Sequence, residues 1–339
     1  DGASAIYGAD AVAGVVNIIT KKNFDGVEAS IRYGQTFQQD GEEGAVDLAW
    51  GVNTDRGSLM AAINYSESGS VNMADRAACG LGEVDGKLEC VGSSSTIGGR
   101  ALLPDGTRIN FNQDPNGDGD FYEVYSPKKH NQNAYPNLNA VNPIKRMSFS
   151  AFGNYALTDN VRGFAELMYT NRQSDQLATP GTLGVYRPIN IAADHPTNPT
   201  GQDILLQRRS LKEGGNREFY QDVDTFRTVL GVEGGIGTYW DWSVAVNWGR
   251  NTGDDGSTNV VNLDRFDNTM NTSLCSNAPG AAIPCGDYLG YGDVTREVLD
   301  YILYTTRDVG GNEQKSFTAN LSGQLFELPA GWVGMATGV

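Results

Sequence analysis

The amino-acid sequence predicts an all-β fold, an antiparallel transmembrane β-barrel of which this chain supplies about nine strands. Nine segments alternate apolar and polar residues over roughly the length that a tilted membrane strand needs. The connections between these segments are alternately short and long. With 43 Gly, 15 Tyr and only 39% hydrophobic residues, the composition is typical of β-structure with long loops. No stretch is long and apolar enough to predict a membrane-spanning helix.

The first three predicted strands cover about 27–33, 46–53 and 58–66. Each has apolar residues at every second position, which places them on one face of a β-strand. These residues are Val27, Ala29, Ile31 and Tyr33; Val46, Leu48, Trp50 and Val52; and Leu59, Ala61, Ile63 and Tyr65. Polar residues such as Glu28, Asp47 and Asn64 fill the alternate positions. Each strand therefore has one apolar and one polar face.

The next four predicted strands cover about 146–157, 161–172, 222–236 and 241–248 and repeat this pattern. Their apolar positions include Met147, Phe149, Ala151, Tyr155 and Leu157; Val161, Ala165, Leu167 and Tyr169; Phe226, Leu230 and Val232; and Trp242, Val244, Val246 and Trp248. The last of the four has the clearest alternation. An eighth strand covers about 316–325, with Phe317, Ala319, Leu321 and Leu325 on one face, and a ninth begins at Trp332.

The connections alternate strictly in length. The short ones cover 54–57, 158–160, 237–240 and 328–331, and the long ones about 38–44, 69–144, 174–221 and 252–314. Outer-membrane barrels have tight periplasmic turns and large extracellular loops. Tyr239, Trp240, Trp242 and Trp332 lie beside short turns, where an interfacial aromatic girdle is expected. The alternative is a soluble β-sandwich in which these tryptophans belong to the core.

The opening segment, residues 1–22, combines spaced glycines with a Val-Val-Asn-Ile-Ile strand and a closing Thr-Lys. The glycines permit close backbone approach, and the apolar run suits a strand that is buried on both faces. This segment resembles the C-terminal end of the plug domain in TonB-dependent receptors. The residues that carry the resemblance are Gly2, Tyr7, Gly8, Gly14 and Asn17. A phosphate-binding glycine loop is the alternative, but its glycines would follow a strand and open a helix.

The resemblance implies that residues 1–24 end a plug domain and that residues 25–339 form the N-terminal part of a barrel. Family members fold as a twenty-two-stranded barrel around the plug, in the cell outer membrane. They import a scarce nutrient, such as a siderophore-iron complex, cobalamin or a saccharide, with energy delivered by the TonB-ExbB-ExbD complex through the plug. The implied partners are that complex, outer-membrane lipid and lipopolysaccharide, and a small-molecule ligand. Because both ends fall within patterned segments, we expect a piece of a longer protein.

The cysteines and the charge indicate the surroundings of the chain. Cys79 with Cys90 and Cys275 with Cys285 form two local pairs in polar stretches, which favours two loop disulfides in an oxidising compartment. A zinc site, the alternative, would need closer ligand spacing. The net charge of -16 argues against nucleic acid as a partner.

One segment resembles the first half of a calcium-binding loop. Asp114, Asn116, Asp118 and Asp120 place oxygen ligands at every second position, with Gly119 at the sixth. The twelfth position is Tyr125 instead of the bidentate Glu of an EF-hand. Calcium in an extracellular loop is therefore one hypothesis, and a plain Asx-Gly turn is the other.

The basic residues Arg208, Arg209, Lys212 and Arg217 cluster before the sixth strand. Arg208, Arg209 and Arg217 are candidates for binding an anionic ligand or lipopolysaccharide phosphate. Salt bridges to neighbouring loops are the alternative.

Two features of the long connections, a helical pattern and two isolated histidines, do not indicate a functional site. The pattern over 293–304 predicts a short helix with Asp293 as its N-cap and a packing role. His130 and His195 lie far apart in the sequence and without neighbouring Cys or His residues. We therefore expect no catalytic residues and no enzymatic activity.

Three classes of function are compatible with these patterns. The first is a TonB-dependent importer, and the second is a passive porin-like barrel, which would lack an N-terminal plug. The third is a secreted β-rich binding protein, which would be soluble without detergent. The substrate is not readable from the sequence.

Overall fold

The structure, a computed structural model, describes residues 16, 24–112, 120–290 and 294–339. Its main element is a nine-stranded antiparallel sheet in which every strand pairs with the next of the nine along the chain. With strands numbered in chain order, these are β1 (Gly26–Gly34), β2 (Glu43–Thr54), β3 (Gly57–Ser68), β11 (Ile144–Ala156), β12 (Val161–Ala178), β16 (Arg217–Ile236), β17 (Trp240–Val261), β18 (Leu303–Leu328) and β19 (Gly331–Gly338). All nine predicted strands are present, and the predicted all-β class is confirmed.

Several strands extend further than the sequence predicted. The connections predicted at about 174–221 and 252–314 are shorter in the structure, at 179–216 and 262–302. Residues 252–261, predicted as loop, continue β17, in which 252–257 pair with both neighbouring strands and 260–261 pair with β18. Apolar residues no longer alternate with polar ones there, so the periodicity that signals a half-buried strand is lost.

The connections of the nine-stranded sheet emerge at opposite ends of its strands. At one end lie the short connections, 55–56, 157–160, 237–239 and 329–330. At the other end lie the long connections, 35–42, 69–143, 179–216 and 262–302. This follows from the pairing of consecutive antiparallel strands, because successive connections then alternate between the two ends of the strands. The additional strands and helices of the described part are therefore all attached to the ends of the strands where the long connections emerge.

The long connections contain structure of their own. Their strands are β4 (Val71–Asn72), β5 (Gly80–Val84), β6 (Lys87–Val91), β7 (Arg100–Leu102), β8 (Arg108–Phe111), β9 (Tyr122–Val124), β10 (Asn139–Val141), β13 (Thr182–Leu183), β14 (Ile189–Ile191) and β15 (Ile204–Ser210). Their helices are α1 (Pro127–His130), α2 (Leu263–Met270) and α3 (Arg296–Ile302), with 3₁₀ turns at Met73–Asp75, Tyr135–Asn137 and Lys212–Gly214. Strands β7–β9 and β13–β15 form a six-stranded sheet.

We call β7–β9, β13–β15, α2 and α3 with their connecting residues the loop subdomain. Two hydrophobic clusters form its core, one around Phe266, Tyr288 and Ile302 and the other around Phe111 and Leu206. Residues of all three longest connections contribute. In the nine-stranded sheet, the only fully buried hydrophobic residue within the described part is Val229. The core of this chain therefore lies outside its largest sheet.

The predicted helix in the last long connection is present but begins later than predicted. α3 starts at Arg296, and its N-cap is Thr295, whose side chain accepts a hydrogen bond from the backbone N–H of Val298. The prediction that Asp293 is the N-cap was therefore wrong, since Thr295 is the N-cap of this helix, and Asp293 itself lies outside the described residues. The chain turns to strand at Leu303. Val298 and Ile302 are buried, in keeping with a packing role.

Candidate functional site

One face of the nine-stranded sheet is apolar across β1–β18, and we call it the apolar face. Strand register places the apolar residues of each strand directly beside those of the next: Val27 beside Trp50, Ile63 beside Phe149 and Val246 beside Phe317. Directly opposite residues share a face of the sheet, so the predicted apolar faces merge into one surface. This surface is uncovered: Ile31 is 81% exposed, Leu230 55% and Phe317 57%.

The apolar face has no charged residue over a continuous band. The band comprises every second residue within 27–33, 46–52, 59–65, 149–155, 163–169, 228–236 and 240–248. Charged residues such as Lys145, Arg250 and Glu313 appear on this face only on the side of the long connections. An exposed apolar surface of this extent indicates contact with a partner or a membrane.

A row of aromatic residues marks the limit of the apolar band toward the long connections. We call it the aromatic row, and it consists of Tyr33, Tyr65, Tyr169 and Trp248. The polar atom of each ring donates a hydrogen bond to a polar residue beyond the band. The acceptors are Gln35 at 3.2 Å, Glu67 at 2.7 Å, Asp224 at 2.6 Å and Glu313 at 3.0 Å. The apolar body of each ring stays with the band, while its polar tip leaves it.

The aromatic row crosses the sheet on a regular diagonal. The residues that lie in the same register row as Tyr33 of β1 are Glu67 on β3, Gln173 on β12 and Asp254 on β17. On these three strands the residues of the aromatic row are Tyr65, Tyr169 and Trp248. They lie two, four and six positions nearer the short connections than that register row. Since β3, β12 and β17 are the third, fifth and seventh strands of the sheet, the row descends by one residue per strand.

Further aromatic residues lie at the opposite limit of the band, beside the short connections. Tyr155 lies there on β11, with the guanidinium of Arg56 5.3 Å from its ring centroid. Tyr239 stacks on Trp332 with a 5.0 Å centroid separation. Trp240 and Trp242 begin β17. The band is thus bordered by aromatic side chains on both sides.

The other face of the sheet, the polar face, carries cross-strand hydrogen bonds between small polar residues. Ser30 donates to Asp47 at 2.7 Å, Thr170 to Ser148 at 3.2 Å and Asn251 to Thr225 at 2.7 Å. Asn64 also donates to Asp47. These residues lie in one register row that crosses the sheet from β1 to β17. The two faces therefore suit opposite environments, one apolar and one aqueous.

The structure separates the three arginines proposed to bind an anionic ligand. Arg209 is completely buried, and its guanidinium donates to Glu213 at 2.6 Å and to the carbonyls of Tyr288 and Ser210. Arg217 donates to the carbonyl of Thr179 at 3.0 Å, and Arg208 is half-buried on β15. Ligand binding by these residues stays a prediction, and for Arg209 protein groups already occupy the side chain.

Other predicted residues fall partly outside the described part. The plug motif, Gly2, Tyr7, Gly8, Gly14 and Asn17, lies outside it, and so do Asp114, Asn116 and Asp118 of the candidate calcium loop. Within 24–112, 120–290 and 294–339 no group of acidic, histidine or cysteine side chains is arranged to hold a metal ion. The calcium and plug predictions stay predictions.

The cysteines are joined as Cys79–Cys90 and Cys275–Cys285, with Cα–Cα distances of 5.6 and 4.8 Å. Each disulfide closes a local loop within one long connection. Both histidines have hydrogen-bond partners within the protein: Nδ1 of His130 accepts from the backbone N–H of Ser126 at 2.9 Å. His195 lies 3.1 Å from the carbonyl of Met270. The expectation of no enzymatic activity stays an expectation.

An ion pair ties the connection between β1 and β2 to the start of the next long connection. The guanidinium of Arg76 donates to both carboxylate oxygens of Asp40, at 2.6 and 2.8 Å. This contact, with a hydrogen bond from Thr36, lowers the pKa of Asp40 from 3.8 to about 2. The pair therefore contributes its full stability above the ordinary pKa and loses it as the pH falls toward 2.

We expect Arg76→Gln to lower the thermal stability of the complete protein near neutral pH. The difference from wild type should shrink as the pH falls from about 4 to about 2, because Asp40 takes up its proton over this range and the ion pair is lost. Thermal unfolding across this pH range measures the effect. Lys87→Gln, at an exposed cation of β6, is the control. A constant difference between wild type and Arg76→Gln would contradict the assignment.

The sequence pattern did not predict the aromatic row or the loop subdomain. The pattern predicted an aromatic girdle beside the short turns, whereas Tyr33, Tyr65, Tyr169 and Trp248 stood out only as apolar strand positions. Their regular descent is visible only when strand register is known. The spacing of the last aromatic residue before each long connection was the available signal.

No protein-family model matches this chain, and no curated protein matches it. No helix in the described part is long and apolar enough to cross a membrane.

Proposed function

We propose that this chain is part of a TonB-dependent outer-membrane receptor, in which the nine-stranded sheet is a section of a transmembrane β-barrel. The observation that carries the proposal is the exposed band of the apolar face, which has no charged residue and is bordered by the aromatic row. In hydrocarbon this face needs no cover, whereas in water it would be a large aggregation-prone surface.

The slope of the aromatic row supports this proposal quantitatively. A flat membrane surface crosses each successive tilted strand at a position nearer one end of that strand. A descent of one residue per strand, with ~3.3 Å per residue and ~4.8 Å between strands, corresponds to a tilt of about 35°. Strands of outer-membrane barrels tilt by about 35–45°. The aromatic row therefore follows the line along which a flat membrane surface would cut this sheet.

The height of the apolar band agrees with the same interpretation. On β17 the band runs from Trp240 to Trp248, which is roughly 26 Å along the strand. At that tilt it spans about 20 Å along the membrane normal, similar to the apolar band of about 25 Å in outer-membrane barrels. The portions of β16, β17 and β18 beyond the aromatic row would then stand outside the membrane together with the loop subdomain.

The resemblance of residues 1–22 to a plug segment supports the importer over a passive porin. In the proposed receptor, the plug occupies the barrel beside the polar face and responds to TonB. The transported compound would be a scarce nutrient that reaches the outer edge of the barrel, where the long connections lie.

The complete receptor in brominated-lipid vesicles tests the membrane assignment. Four of the five tryptophans of the chain, Trp50, Trp240, Trp242 and Trp248, lie on the apolar face. We expect brominated acyl chains to quench their fluorescence strongly compared with ordinary lipid, because the indole rings contact the hydrocarbon boundary. Fluorescence equal in the two lipids, or a protein that stays in the aqueous fraction, would contradict the proposal.

Ion conductance in a planar bilayer separates an importer from a porin. We expect the complete protein to be almost silent, since a plug closes the pore. Deletion of the plug should produce a steady open-channel current. A steady current from the intact protein would favour the porin and count against the plug.

A further inference from the structure

Two arginines lie side by side on the polar face, just beyond the aromatic row. Arg146 of β11 and Arg172 of β12 are directly opposite each other in register. Ser66 of β3 lies directly on the other side of Arg146. Both side chains belong to the polar face, because their strand neighbours Met147 and Asn171 belong to the other one. In the proposed receptor this position is the inner wall at the outer mouth of the barrel.

The two arginines lack acidic partners within the described part of the chain. Arg172 donates to Ser174 at 3.2 Å and to Gln221, both uncharged, and Arg146 is exposed. Like charges directly opposite in a sheet destabilise it. Acidic partners are plentiful elsewhere, since the chain has 41 acidic residues. Other arginines of the sheet do pair, as Arg227 does with Glu166 at 3.3 Å.

The surroundings of the arginine pair provide additional polar groups. Ser148 and Thr170 lie in the next register row and hydrogen-bond to each other at 3.2 Å. Arg32, which pairs with Asp47 at 3.2 Å, lines the same depression as Ser66 and Arg146, and so do the acidic residues Glu43 and Glu67. Guanidinium groups bind oxyanions through two parallel hydrogen bonds, and hydroxyl groups add further donors.

We propose that Arg146 and Arg172 form a binding site for the oxyanion groups of a small ligand that carries several carboxylates or phosphates. The proposal rests on the proposed function, because it takes the polar face as the inner wall of the barrel. It specifies the substrate class as anionic. Register places the two positive charges opposite each other, and an anion bound by both guanidinium groups would offset this like charge.

Binding of citrate and of inorganic phosphate to the complete receptor in detergent, measured by calorimetry at low salt, tests the site. We expect the double variant Arg146→Gln/Arg172→Gln to weaken binding of the preferred oxyanion by at least about tenfold. Arg307→Gln is the matched control, because Arg307 pairs with Asp254 on the opposite face at 2.6 Å. Its affinity should equal that of the wild type.

The double variant Arg146→Lys/Arg172→Lys keeps the charge but loses the planar fork, so binding should recover only in part. Stronger binding of citrate would identify carboxylates as the recognised groups, and stronger binding of phosphate would identify phosphate. Equal affinity of wild type and the Gln double variant, or no binding of either anion by wild type, would overturn the site.

Failure of the site is distinguishable from failure of the proposed function. Quenching by brominated lipid and the closed pore should be the same in wild type and in all variants, because the arginines lie outside the apolar band. A protein that shows both properties without binding an oxyanion refutes this site alone. A wild-type protein without quenching refutes the barrel whatever it binds.

Discussion

Val244→Arg is expected to destabilise the proposed receptor in lipid by ~2–4 kcal/mol and to reduce the amount assembled in the outer membrane. Val244 lies on the apolar face, midway between Trp240 and Trp248, and it is flanked in register by Val232 and Ala319. A guanidinium at this depth has no water and no counter-charge. The cost is largest at the middle of the bilayer and falls toward the interfaces.

Ser243→Arg is the matched control, one residue away. Ser243 belongs to the polar face, directly opposite Glu233 and Asn320, so the new cation would meet a carboxylate. Urea-induced unfolding in lipid vesicles and the fraction of protein recovered in outer membranes compare the two variants. Equal effects of the two substitutions would contradict the assignment of the faces. If only Ser243→Arg destabilised the protein, the polar face and not the apolar face would be the one in contact with lipid.

Arg209→Met is expected to destabilise the loop subdomain by about 3–5 kcal/mol, which is the usual cost of removing one partner from a buried ion pair. Arg209 has no exposed surface and joins β15 to Glu213 and to the carbonyl of Tyr288. Methionine fills the space but leaves the Glu213 carboxylate and two carbonyl groups without their donor. Hydrogen exchange in the loop subdomain and protease sensitivity of residues 179–216 measure the loss.

Arg208→Ala, at the neighbouring half-buried position, is the control and should change local stability little. The nine-stranded sheet should keep its protection in both variants, because its strands are held by their own ladders. If Arg209→Met leaves exchange in the loop subdomain unchanged, Arg209 does not hold it together. Loss of anion binding in Arg208→Ala, with unchanged exchange, would support the ligand prediction for that residue.

The sequence predicted the nine strands because one face of each is apolar where the band passes through it. Val27–Tyr33 and Trp242–Trp248 show this alternation directly. The upper part of β17, Asn251–Val261, has polar residues at nearly all positions until its end. Its strand character comes from pairing with β16 and β18, which no local pattern encodes.

The loop subdomain could not be predicted because its core is assembled from distant segments. Phe111, Leu206 and Leu289 lie in one cluster but belong to three different connections. Each segment is too short for a reliable period. The sequence likewise showed Arg146 and Arg172 only as polar positions of an alternating pattern, since their placement opposite each other depends on the register between two strands.

The shared core of the long connections limits how the outer mouth of the proposed barrel can open. The clusters around Phe266 and Leu206 draw on connections that begin at β3, β12 and β17. A displacement of any one connection must carry the connections that it packs against or break at least one of the two clusters. In the proposed receptor, ligand entry would therefore require the long connections to move together about the ends of those strands, and not one at a time.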